Sequence, residues 1–190
     1  RGLISEMKLS LLSILLGLGM AAPQVYGLAK PTAFAAALRK FPRHLPTGVF
    51  LMLLGTAWFL WLVNQEPIAD FAAFKPHMMA VFAGIGVATC FFVQDFLAVR
   101  GLAVVFLLLA KLMVDTGRPH LGETPWVLLI QTWAYVLVVA GIWFTLSPWR
   151  LRDLLNWTTA NEKRVKICLT IRLAFSLLVV VLGLTVFRAM

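Results

Sequence analysis

The chain has 190 residues, 61% of them hydrophobic, and a mean hydropathy of +0.90. That leaves too few polar residues to coat a water-soluble surface, so a soluble globular domain is excluded and a helical membrane protein is implied. The net charge of +9 sits on short links beside apolar runs, a pattern that fits anionic lipid headgroups and no nucleic-acid-binding module.

Six apolar runs predict an all-α, polytopic transmembrane helical bundle, a single integral membrane domain over residues 1–190 with short amphipathic interfacial helices. The first run covers 9–25. Arg1 and Lys8 before it and Gly19-Met20-Ala21-Ala22 within it have the outline of a signal peptide, but cleavage there would put the basic link at 30–43 outside, against the charge count below; a chain opening on Arg1 reads as trimmed or as a fragment. Ser13, Gly17 and Ala21 repeat every four residues, the spacing of a helix-packing stripe. The link at 23–47 carries Lys30, Arg39, Lys40 and Arg43, with Phe34, Leu38 and Phe41 recurring on the opposite face of an expected interfacial helix.

The second run, 49–63, has Trp58 and Trp61 near its end. The third, 78–93, carries a second small-residue stripe of Ala80, Gly84 and Ala88. Asp95 and Arg100 flank the tight turn that follows and are expected to pair. The fourth run, 101–114, makes only about 21 Å of helix against a hydrocarbon core of about 30 Å, so it has to borrow flanking residues. Lys111 and Asp115 lie four apart on one face near its end and are expected to neutralise each other. The fifth run, 127–146, opens after Trp126. In the link at 147–166, Ser147-Pro148 reads as an N-cap followed by a first-turn proline, and Leu151, Leu154, Leu155 and Thr158 form an apolar face. The sixth run is 167–187, with Arg172 close enough to its start to snorkel.

Charge sets the expected topology. The first, third and fifth links together hold ten Lys and Arg, and the other side holds five. The ten-charge side is expected to face the cytoplasm, with both termini outside, in a membrane expected to be a bacterial inner membrane. Five crossings would put the two basic links on opposite sides and abolish the bias, so six are expected.

One motif carries a resemblance. Lys111, six residues, then Arg118-Pro119 resembles the first phosphate-binding signature of the type 2 phosphatidic acid phosphatases, six-span enzymes whose Lys and Arg hold the substrate phosphate. The resemblance implies Lys111 and Arg118 as phosphate ligands of a lipid-headgroup enzyme. It covers nine residues. The family's Pro-Ser-Gly-His and Ser-Arg…His…Asp segments have no counterpart, since the fifth link reads Ser147-Pro148-Trp149-Arg150 and holds no histidine. The nucleophile and the acid that the reaction requires are therefore missing.

Other chemistry is weaker still. His77, His120 and Glu123 share a side, but a loop His-x-x-Glu lacks the helical spacing of zinc motifs. His44, His77 and His120 lie in links or at run ends, where none can serve as a mid-span haem ligand. Cys90 and Cys168 have no CxxC spacing and read as small apolar residues. Ser10, Ser13 and Ser176 have no histidine partner in any run, so intramembrane serine proteolysis is not expected. No metal, cofactor or catalytic residue is expected. The first functional expectation is a structural, accessory or assembly subunit, in contact with anionic lipid headgroups and with a second copy or a partner membrane subunit. The alternatives are a small ion- or proton-coupled transporter or channel subunit using Asp95, Lys111 and Asp115, and the lipid-headgroup enzyme.

Overall fold

The computed structural model describes residues 8–65 and 74–188, and every element among them is helical. In chain order these are α1 (Leu9–Ala29), α2 (Pro31–Lys40), α3 (Leu45–Gln65), α4 (Lys75–Phe92), α5 (Leu97–Gly117), α6 (Val127–Leu146), α7 (Trp149–Thr158) and α8 (Glu162–Leu184), with 3-10 turns at Phe41–Arg43 and Arg118–His120. Six of them, all but α2 and α7, are long and apolar enough to cross a membrane. The protein is a membrane-embedded helical bundle.

The helices outrun the apolar runs that define them. α5 gains residues at both ends to reach 21, about 31 Å, which resolves the shortfall of the fourth run. Its first turn contributes Leu97, Ala98 and Val99, all essentially inaccessible, so these residues belong to the bundle interior and not to a link. α8 starts earlier than its apolar run, at Glu162, and stops at Leu184. Phe187 folds back beyond it, its N–H donating to the Leu182 carbonyl, and is buried against Met113 and Val127 among others.

α5 is the central strut. It packs on α3 along one side and on α6 along another, while α1 pairs with α8. Between helices in lipid, close backbone approach replaces the missing hydrophobic drive. Ser13, Gly17 and Ala21 lie in the α1–α8 seam, where a Cβ on Gly17 would sit 2.8 Å from the Ser176 carbonyl oxygen and 2.5 Å from Val180. Gly183 reciprocates, facing Ile14 and the Ser10 carbonyl. On the other flank Gly48 and Gly101 let α3 and α5 approach to backbone contact.

α4 is the outlier, with α3 as its main neighbour. The contact runs through Gly86 against Thr56, Phe82 edge-on to Phe59 at 5.1 Å, and the buried Cys90. The Ala80–Gly84–Ala88 stripe, expected to pack either within the chain or against a second copy, is not what seats α4 on α3. Two residues rotate a helix by about 200°, so a helix that seats Gly86 turns Gly84 the opposite way. Ala80 and Gly84 are exposed, and a Cβ on Gly84 would meet nothing within 4 Å.

The reading of Ser147 also needs correcting. Its N–H donates to the Trp143 carbonyl, which makes it the C-cap of α6, and no side chain caps α7. α6 runs on to Leu146 and uses Ser147 before α7 can. In α7, Leu151 and Leu155 are buried while Leu154 faces outward, so the inward face is narrower than the repeat suggests. Leu38 and Phe41, from the first link, pack on the same cluster as Leu151 and Leu155.

Candidate functional site

The bundle has two polar ends. At one, α2, the Phe41–Arg43 turn, the start of α5 and α7 converge; this is the basic end. At the other lie the end of α5, the start of α6, and Leu9 and Phe187 near the two chain ends.

Phe96 organises the basic end. It is the residue before α5, and its φ of 54° places it in the left-handed region, where a side chain other than glycine is strained. The ring is 7% exposed, packed among Val99, Phe144, Leu151 and Leu155. The guanidinium of Arg43 lies 5.4 Å from the ring centroid and that of Arg152 lies 5.9 Å from it. Two cations from links 109 residues apart in sequence thus share one aromatic ring. Nearby, the Arg39 Nε donates to Thr159 Oγ1 at 2.9 Å and its Nη2 donates to the Thr159 carbonyl. That carbonyl lies at the end of α7, where a cation is favoured by the helix dipole, so Arg39 ties α2 to α7.

Asp95 and Arg100 are not brought together, which corrects the expected pair. Asp95 is exposed and makes no ion pair among the described residues. The left-handed turn at Phe96 separates them: Asp95 stays outside α5, while Arg100 enters its first turn with Nε buried and without a hydrogen-bond partner among the described residues.

At the opposite end, Lys111 Nζ donates to Asp115 Oδ2 at 2.6 Å, with the two side chains 44% and 50% exposed. Arg118 follows at the i+7 position of the same stripe and is exposed. His120 Nδ1 lies 3.0 Å from Glu123 Oε1, and no group of three His, Cys, Asp or Glu side chains gathers among the described residues. Asp95 and Asp115 stand at opposite ends of α5, about 30 Å apart at helical rise. Between Arg100 and Lys111 the helix offers only apolar residues and glycine.

Buried polar groups in the span interiors are few and local. Gln131 Nε2 donates to the Val114 carbonyl at 3.3 Å, and Ser176 Oγ donates to the Leu173 carbonyl at 2.9 Å. Ser13 Oγ and Gln24 Oε1 have no partner among the described residues. Two apolar grooves open on the bundle surface. One of about 640 Å³ runs along Trp126, Leu129, Trp133 and Phe175, and one of about 300 Å³ lies between Phe59 and Leu107 with Lys111 at its end.

Sequence reasoning had the Lys111–Asp115 pair but missed Phe96, the Arg39–Thr159 link and the Gln131 bond. The basic residues themselves were visible; which ring or carbonyl they meet depends on tertiary placement. No protein-family profile, curated protein or solved structure matches this chain.

Proposed function

We propose that the chain is a structural or assembly subunit of a membrane complex, with no catalysis of its own, and that α4 is the helix by which it joins its partner. The observation that carries this reading is the outward face of α4. Ala80 and Gly84 form a small-residue groove turned away from the rest of the described residues. Lipid gains nothing from such a groove, whereas a second helix gains close backbone approach. The partner is a second copy or a different membrane subunit. The ten-charge end faces the cytoplasm and both termini face out, in a bacterial inner membrane, with the basic links on anionic headgroups.

The apolar stretch of α5 supports this reading over the transporter, since a relay from Asp95 to Asp115 along that helix has no polar waypoint. The absence from the fifth link of a histidine to serve as nucleophile weighs against the lipid-headgroup enzyme.

A photo-crosslinking residue placed at position 84 in the native membrane tests the proposal. Position 19 is the control, because Gly19 on α1 is equally open. A protein adduct at 84 and lipid adducts alone at 19 are expected. Lipid adducts alone at both positions would overturn the assignment of α4.

A further inference from the structure

α6 ends at Leu146 and α7 starts at Trp149, and the elbow between them encloses a cavity of about 270 Å³. Its walls are Trp143, Phe144, Leu154 and Trp157, together with Arg150 and Asp153. Arg150 and Asp153 are three residues apart on one helix and opposite in charge, the spacing at which helix ion pairs usually close. They line the same cavity and do not pair.

Asp153 is anchored from beside the cavity. Arg152 donates Nε and Nη2 to its Oδ1 at 3.0 and 2.9 Å, which leaves Oδ2 without a partner among the described residues. The Arg150 guanidinium has no partner among them either. The elbow therefore holds a separated positive and negative group between indole walls. Trp143 and Trp157 are 53% and 58% exposed, so the cavity opens outward. Trp157 already carries one cation, the Arg164 guanidinium at 5.3 Å, so Trp143 is the indole without a cation among the described residues.

We infer that this elbow binds the headgroup of a zwitterionic phospholipid. Arg150 takes the phosphate through charge-assisted hydrogen bonds. Asp153 Oδ2 and the Trp143 indole face take the ammonium. A headgroup with phosphate but no amine leaves Asp153 facing an anion, and a bare cation meets Arg150. Only a ligand with both charges satisfies both. The site also stands where a spanning helix turns into an amphipathic one, the depth at which headgroups lie. It is independent of the assembly role of α4, and binding here leaves that proposal untouched.

Native mass spectrometry of the detergent-purified full chain tests this with three short-chain lipids: dihexanoyl phosphatidylethanolamine, phosphatidylcholine and phosphatidylglycerol. The two zwitterionic lipids, each with a cationic nitrogen, are expected to be retained about tenfold better than phosphatidylglycerol, the scale of one cation–π contact. Asp153→Asn is expected to bring that preference to parity, and Arg150→Gln to weaken all three. Asp153 also anchors Arg152, so Trp143→Phe serves as a second variant that leaves α7 intact and is expected to lower retention of the zwitterionic lipids alone. Equal retention of the three lipids by the unmodified chain, or a preference for phosphatidylglycerol, would overturn the inference. So would soluble phosphoethanolamine binding as tightly as the lipid, which would make the ligand a free metabolite. An Asp153→Asn variant that melts normally and keeps the preference would overturn it too.

Discussion

Phe96 shows how one residue can set the geometry of a whole end of the bundle. A left-handed φ costs a residue with a Cβ about 1–2 kcal/mol, and glycine is free of that cost. Removing the ring by Phe96→Ala should cost about 3–5 kcal/mol, the usual loss for a buried phenyl. Phe96→Gly should cost about 1 kcal/mol less than Phe96→Ala, the reverse of the order seen inside a helix. Thermal or denaturant unfolding of the two variants in the same detergent measures it. A milder Phe96→Ala would mean that the left-handed turn is not kept. Gly17 and Gly19, two positions apart on α1, make a second contrast. Gly17→Ala drives a methyl against Val180 and the Ser176 carbonyl and should cost about 1–3 kcal/mol as overpacking. Gly19→Ala meets nothing and should stabilise by about 0.5–1 kcal/mol through helix propensity. Melting temperatures moving in opposite directions are expected. At the basic end, Arg39→Lys should behave like Arg39→Ala, because an ammonium cannot reproduce the planar fork that meets both the hydroxyl and the carbonyl of Thr159. Rescue by lysine would mean that charge alone holds α2 to α7.

Helices were legible in the sequence to the extent that hydropathy marks them. All six spanning helices follow from their apolar runs, and the two linking helices follow from the amphipathic repeats at Phe34, Leu38, Phe41 and at Leu151, Leu155. Boundaries were less legible, because α5 and α8 extend into charged residues such as Arg100 and Glu162 that lower local hydropathy without ending a helix. Partner choice was not legible for α4. Ala80, Gly84 and Ala88 look identical in spacing to Ser13, Gly17 and Ala21, yet Ala80 and Gly84 are exposed and Ala88 half-buried, while the second stripe is buried in the α1–α8 seam. Periodicity names a face, and only tertiary placement says what that face meets. The same blindness applied to the polar residues. The Lys111–Asp115 pair is local, so its spacing sufficed. The arginines on Phe96 come from distant links, and no spacing rule joins them. α4 also gives a prediction at this scale. Gly84→Leu should leave the melting temperature of the isolated chain unchanged and abolish co-purification of the partner. Gly86→Leu should destabilise the α3–α4 contact, because its side chain would collide with Thr56.

At the scale of the molecule, the features converge on a bundle held by close helix seams at α1–α8 and α3–α5, with α4 outermost. α1, α5, α6 and α8 share one core, in which Leu9, Met113, Val127, Ile130 and Val179 meet. α4 stands outside that core, with Ala80 and Gly84 uncovered among the described residues. Charge separates the ends, with Arg39, Arg43, Arg100, Arg150 and Arg152 gathered where α2, α5 and α7 meet. On the assembly role proposed above, a bundle of this kind does its work by what docks against it. Native mass spectrometry of the chain extracted gently from its own membrane addresses that most directly. The assembly role predicts a stoichiometric complex, with a second copy or with a different subunit, that disappears in the Gly84→Leu variant. A monomer that carries only lipid, unchanged by Gly84→Leu, would contradict it.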